Sequence, residues 1–486
     1  MMKHKENDSN HLMKLTIEQV LQRGVAAHKE GKLQEAERFY QAILKSQPSH
    51  PDANHNLGIL AVSINKAEEA LPLFKVALEA KPYIEQFWLS YIDALMKKNK
   101  FGDAEAASKK ALDLKKDFIK VKLYLSGILL KLGRLDEAEA ILRQTISLKP
   151  DYAEAHNNLG ITLQGLGRLK EAEVSYKQSI LLKPDYAEAH NNLGNMLKEL
   201  GRLEEAMSRY TKAIKLNPKM SESRNNLVQL LTSYVPSEEI LHPIVKVDQE
   251  IRKIYLKEKT SGIISDDKII QIFSKSSNII KKHKLKLETN LTQVYRRNSI
   301  DLNCKRHKTI FNKFNIIPKF CFGCYKVQVE PRSILDLIKL FVVFDQIKLG
   351  KNNTRKCLIE IRPEFSGFYK GLIYCSSLEE AYQIADYLGI VIKKNIASGL
   401  QAVVKRGCSE YPVSFPNYKV INKSGDHLMK YNEEWKLIEE SHDLTNPIKS
   451  NKIITPSLSG LNLHDTLIIQ NWIDYAKGIG DPSVHL

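Results

Sequence analysis

The decapeptide Asp-Tyr-Ala-Glu-Ala-His-Asn-Asn-Leu-Gly occurs at Asp151–Gly160 and recurs unchanged at Asp185–Gly194, 34 residues later. A fixed period of that length specifies a row of helical hairpins. Each is too small to bury its own apolar face and relies on its neighbours for the missing contacts. With the Leu-Gly glycine set as the eighth position, repeats begin at 17, 51, 85, 119, 153 and 187 with no insertion between them.

In that register the periodic positions acquire physical roles. Position 20 is alanine in all six repeats: Ala36, Ala70, Ala104, Ala138, Ala172 and Ala206. A small side chain there lets the two helices of a hairpin approach closely, and enlarging it costs about 1–3 kcal/mol by overpacking. Position 15 is Gly31, Asn65, Asn99, Gly133, Gly167 and Gly201, the two residue types that most readily take the left-handed conformation ending a helix. Position 32 is Pro48, Pro82, Pro150, Pro184 and Pro218, with Lys116 the exception; proline ends the second helix. Position 24 is Tyr40, Phe74, Leu142, Tyr176 and Tyr210, with Ser108 the exception, and supplies packing between helices.

This pattern resembles the tetratricopeptide repeat family over Ile17 to about Pro218. The resemblance implies an all-α right-handed solenoid that binds protein or peptide on the concave face made by the first helix of each repeat. Ser221–Ser233 is expected to add a solvent-facing cap, stopped at Val235-Pro236. Position 6 on the first helices is Asn56, Asn158, Asn192 and Asn226, interrupted by Ser90 and Tyr124. Asn157 and Asn191 precede two of them and join the candidate peptide-binding set. A carboxamide both donates and accepts, so such a row grips a peptide backbone without reading its side chains. The row is similar to the asparagine ladder in the repeats of O-linked N-acetylglucosamine transferases, although no glycosyltransferase domain follows here. The structural alternative is that these asparagines are solvated positions copied along with a duplicated repeat.

The 486 residues divide by charge. Residues 1–240 hold 35 Lys and Arg against 31 Asp and Glu, and the remainder holds 38 against 25. All six cysteines also lie in the second part. The start, residues 1–16, is polar and lacks an apolar core, so no secretory signal is expected. No apolar run is long enough for a span, and a cytoplasmic location is expected by default. After the solenoid, 17–235, residues 236–318 are expected to be a basic helical connector. Between Lys275 and Lys319 twelve basic residues face only Glu288 and Asp301. Arg296, Arg297, Lys305 and Arg306 are the candidates there for following a nucleic-acid backbone. The plainer reading is a solvated face.

Residues 319–410 alternate strand-like and helix-like runs. Strands are expected at Phe322–Glu330, Arg355–Arg362, Gly371–Cys375 and Leu400–Arg406, with helices at Ser333–Lys348 and Leu378–Lys394. That order, β-α-β-β-α-β, is the split βαβ arrangement of a ferredoxin-like α+β domain. In it the starts of strands one and two share an edge with the ends of strands three and four. Cys321, Cys324, Cys375 and Cys408 converge on that edge as candidate ligands for Zn or an Fe–S cluster, or as a redox dithiol. Lys405-Arg406 is expected to depress the Cys408 thiol pKa. The structural alternative is that these cysteines are buried small hydrophobes. Ferredoxin-like sheets also bind RNA; Lys370-Gly371 and Tyr374 fit that use, but the first strand lacks the matching aromatics. Residues 411–486 are expected to be irregular with helices at Gly425–Glu440 and Thr466–Lys477, the latter capped by His464-Asp465.

No phosphate-cradling loop, His-Glu-x-x-His or Gly-x-Ser-x-Gly is present. The sequence therefore favours a protein-binding scaffold or adaptor without catalysis. The alternatives are a metal- or redox-dependent enzyme with the solenoid as its recruiting arm, and an RNA-binding protein acting through residues 275–319.

Overall fold

A computed structural model of the chain describes residues 15–236, 242–258, 264–285, 287, 289–296, 302–351, 353–363, 367–421, 427–445 and 456–484. The chain divides into two compact units, 1–193 and 194–486.

In the first unit, first helices Ile17–Lys29, Pro51–Ser63, Glu85–Lys97, Ile119–Lys131 and Ala153–Gly165 alternate with second helices Leu33–Ser46, Ala67–Ala80, Phe101–Leu114, Leu135–Leu148 and Leu169–Leu182. Every first helix has 13 residues and every second helix 14, so each repeat presents the same residues at the same contact. The turn within each hairpin is set by position 15. Gly31, Asn65, Asn99, Gly133 and Gly167 all lie at positive φ, between 57° and 80°. The position-20 alanines are fully buried.

Position 8 and position 24 are coupled. A Cβ placed on Gly24, Gly58 or Gly160 would lie 2.6–2.7 Å from the ring of Tyr40, Phe74 or Tyr176, respectively. The glycine is thus the socket for the aromatic of its own hairpin. The third repeat reverses the assignment: Ser108 replaces the aromatic, and Ile92, fully buried, replaces the glycine. The fourth uses Ser126 with Leu142. Core volume is conserved while its source changes sides.

The second unit begins with the remainder of helix Ala187–Glu199, then Leu203–Leu216 and Ser221–Leu230, with Tyr210 closing on Gly194 as in the earlier hairpins. Helices Pro243–Glu258 and Asp266–Lys282 follow; the second is capped by Ser265. Next comes a five-stranded antiparallel sheet: β1 Gln293–Arg296, β2 Tyr325–Val329, β3 Arg355–Ile359, β4 Tyr369–Cys375 and β5 Ala402–Arg406, in the order β1-β3-β4-β2-β5. Strands β2 to β5 with helices Ile334–Gln346 and Leu378–Asn395 reproduce the split βαβ order expected from sequence.

The added edge strand β1 comes from the stretch expected to be a helical connector. It pairs with β3 from Gln293↔Leu358 to Arg296↔Arg355. Four residues of alternating burial are too few to register as a strand within a basic run. At Gly371 a helix lies tight against the sheet, since an added Cβ would run into the Leu340 side chain. The late helices also shift from expectation. The first runs Trp435–Thr445, and the expected start at Gly425 lies outside the described residues. The last runs Leu463–Gly478 and is capped by Asn462, whose Oδ1 accepts from the Asp465 N–H at 2.9 Å. His464-Asp465 does not cap it; Asp465 turns inward instead.

Candidate functional site

The first helices of the first unit adjoin one another from repeat to repeat, and the asparagines lie along that row. At position 6, Asn56 and Asn158 are half-buried, as is Asn192 in the next repeat. At position 5, Asn157 and Asn191 are buried, 2% and 0% exposed. The two rows are tied together: Asn192 Nδ2 donates to Asn157 Oδ1 at 3.1 Å, and Asn157 Nδ2 lies 3.5 Å from Asn158 Oδ1. Repeats two and three use the same tie with other chemistry, His55 Nε2 lying 2.9 Å from Ser90 Oγ. Asn157 therefore orients its neighbours from behind. Asn226, half-buried, belongs to the second unit.

A second recurring contact escaped the sequence reading. The position-4 side chain reaches back six residues to the carbonyl of the position-32 proline. Asn54 donates to Pro48 O at 2.8 Å, Trp88 to Pro82 O at 2.7 Å, His156 to Pro150 O at 3.0 Å and His190 to Pro184 O at 3.2 Å. In the second unit Arg224 makes the same bond to Pro218 O. Where the proline is missing, at Lys116, the position-4 residue Lys122 turns to Gln144 instead. The signal available was that every position-4 residue after a proline is a donor.

The cysteine edge forms in the backbone and only in part among the thiols. Tyr325 pairs with both Cys375 and Arg406, and Gly407 N–H donates to Cys324 O at 2.8 Å. Side chains alternate across a sheet, so Cys375 lies on the helix-covered face with Tyr325, and Cys324 on the other. Cys321 turns into a cluster with Ile317, Tyr411 and Tyr418, its Sγ 3.2 Å from the Tyr411 hydroxyl, and Cys408 packs against the same cluster. Among the described residues no group of three or more His, Cys, Asp or Glu side chains is placed to hold a metal ion. Burial raises all four thiols, Cys324 and Cys375 to about 12. The expected depression at Cys408 by Lys405-Arg406 is overturned. Arg406 turns to the Phe322 carbonyl, and burial outweighs the nearby Lys326. These are protonated thiols in a desolvated setting.

The basic candidates divide. Arg296 is buried, with Nε 2.6 Å from Asp345 Oδ1 and Nη2 2.9 Å from Asp465 Oδ2 and 2.8 Å from Gly460 O. Arg306 pairs with Asp443 at 2.7 Å and Glu439 at 3.2 Å. Their donors face inward and are not presented to a phosphate backbone. Lys305 is exposed; Arg297 lies outside the described residues. On the sheet face that carries Lys370 and Tyr374, the β2 residues Lys326 and Gln328 are buried.

Residues 3–231 match the family described as the Cilia and flagella-associated protein 70 C-terminal domain, a TPR domain. The chain carries a tetratricopeptide repeat array. Solved structures similar to it include YrrB, a TPR protein with an unusual peptide-binding site, at 22% identity, covering 38% of this chain and 96% of that one with a TM-score of 0.31. PilW, a widely conserved type IV pilus biogenesis factor, is 20% identical over 43% of this chain and 98% of its own, TM-score 0.39. A tetratricopeptide repeat protein from Parabacteroides merdae is 18% identical over 45% and 85%, TM-score 0.39. No curated protein sequence matches the chain. Tetratricopeptide repeat proteins are protein-interaction scaffolds. No helix among the described residues is long and apolar enough to cross a membrane.

Proposed function

We propose that the tetratricopeptide repeats hold an extended polypeptide segment by its backbone, with Asn158 and Asn192 as the gripping pair. The observation that carries the reading is the carboxamide chain Asn192→Asn157→Asn158. Asn157, buried behind the pair, engages the Asn192 amide and the Asn158 oxygen. Among the described residues Asn192 Oδ1 and Asn158 Nδ2 remain as one acceptor and one donor on adjoining repeats. A peptide unit presents the complementary N–H and C=O. Because the asparagines are already oriented, little side-chain ordering opposes binding.

Two such bonds contribute about 1–3 kcal/mol together, so Asn158→Ala with Asn192→Ala should weaken capture roughly 5- to 150-fold. The test is selection of unstructured displayed peptides on the full chain, followed by affinity measurement on the double variant. Helicity should stay unchanged. Equal affinity in both proteins would leave the carboxamides with a structural role only.

A further inference from the structure

The sheet face turned away from helices Ile334–Gln346 and Leu378–Asn395 carries more charge than a covered surface ordinarily does. Alternation along the strands places Lys326, Lys356, Lys370 and Tyr374 together on it. Lys370 has its counter-ion, Glu360 Oε2 at 3.2 Å. Lys326, only 6% exposed, reaches the neutral Ser409 Oγ at 3.3 Å. Lys356, on the strand beyond β4, reaches the neutral Gln293 Oε1 at 3.5 Å. Among the described residues neither ammonium forms an ion pair.

Tyr374 stands between them, paired across strands with Lys326 and 6.0 Å by ring centroid from Lys356 Nζ. Its hydroxyl makes no hydrogen bond among the described residues. Lys356, Tyr374 and Tyr295 are half-buried on the same face as the buried Lys326. Burial, with Lys326 adding repulsion, pushes the Lys356 ammonium down to about 8. The neighbouring Cys324 and Cys408 thiols are protonated, and Glu410, the carboxylate that acts on both lysines, is already held by Arg362 Nη1 at 2.7 Å. A desolvated ammonium without an anion is unfavourable, and two facing one phenol call for a negative charge from outside the chain.

We propose that this recess binds a small phosphate- or carboxylate-bearing ligand, held between the Lys326 and Lys356 ammoniums with the Tyr374 hydroxyl donating to it. Lysine is a point-charge donor on a flexible stem, suited to either headgroup. Thermal melting of the full chain in inorganic phosphate, acetate and chloride at matched ionic strength tests it. Tm should rise saturably with phosphate or acetate beyond chloride, and whichever of the two acts identifies the headgroup. Lys326→Met and Lys356→Met should each weaken that effect at least tenfold (about 1.4 kcal/mol), while Lys405→Met, at the exposed edge, should not. Lys326→Met should also raise the Tm of the ligand-free protein. If that variant does not fold, lysine labelling of the wild type replaces it: phosphate or acetate should slow modification of Lys356 and leave Lys405 unchanged. Equal shifts in all three salts, or a phosphate effect retained in both variants, overturns the proposal.

Discussion

Replacing Gly160 with alanine tests the coupling between positions 8 and 24 on its own terms. The new Cβ would lie 2.6, 2.7 and 2.9 Å from Cε1, Cδ1 and Cζ of Tyr176. That ring is 1% exposed and anchored by its hydroxyl on Gln164 Oε1 at 2.9 Å, so it has little room to withdraw. Overpacking of this kind costs about 1–3 kcal/mol, and a distance this short against a fixed ring belongs at the upper end. Alanine returns about 1 kcal/mol of helix propensity, which leaves a net loss of about 1–2 kcal/mol. Gly127, mid-helix with nothing within 4 Å of its added Cβ, isolates the propensity term, and Gly127→Ala should stabilise by about 0.5–1 kcal/mol. Copying the third repeat, Gly160→Ile with Tyr176→Ser, should recover part of what either change loses alone, by a coupling of about 0.5–3 kcal/mol. Urea unfolding followed by far-UV circular dichroism reads all five variants, the two single changes of the swap included. If Gly160→Ala melts at or above the wild-type midpoint, the socket does not exist as described.

Asp465→Asn should destabilise the second unit by about 2–4 kcal/mol, because Arg296 keeps Asp345 but loses its second carboxylate in a buried site. The Asp465 carboxyl is pushed up by burial, yet Arg296 and His464 outweigh this and hold it below its ordinary value. Its contribution is therefore complete above the unfolded value of about 3.9 and is lost as pH falls through the lower folded value; denaturant midpoints against pH should show the loss in wild type and not in the variant. In limited alkylation with iodoacetamide, Cys304 should react first, since it is exposed and the other five cysteines are buried or half-buried with raised thiols. Early modification of Cys324 or Cys408 would contradict the protonated state assigned to them.

What sequence reveals here depends on how many side chains satisfy the local demand. At position 15 only glycine and asparagine take the left-handed turn cheaply, so Gly31, Asn65 and Asn99 declare the hairpins directly. The strand order from Tyr325 to Arg406 was legible for a similar reason, since apolar runs and the Ser377 cap admit few alternatives. Cys375 stands apart from the other candidate cysteines because strand order places backbones, while the two-residue alternation decides which thiols meet. Arg296 reads as one more surface cation until Asp345 and Asp465 arrive from 49 and 169 residues away. Lys326 is the same case, as nothing local marks a lysine that will be covered.

The bond from position 4 to the proline carbonyl has a consequence for how such arrays diversify. An acceptor fixed by the backbone demands a proton at one place and is indifferent to what delivers it. Asn54, Trp88, His156 and Arg224 differ in size, charge and aromaticity, yet each meets that demand. Each inter-repeat turn thus has a position where almost any donor is tolerated, so neighbouring modules can drift apart in composition, or be exchanged by an engineer, without losing the joint between them.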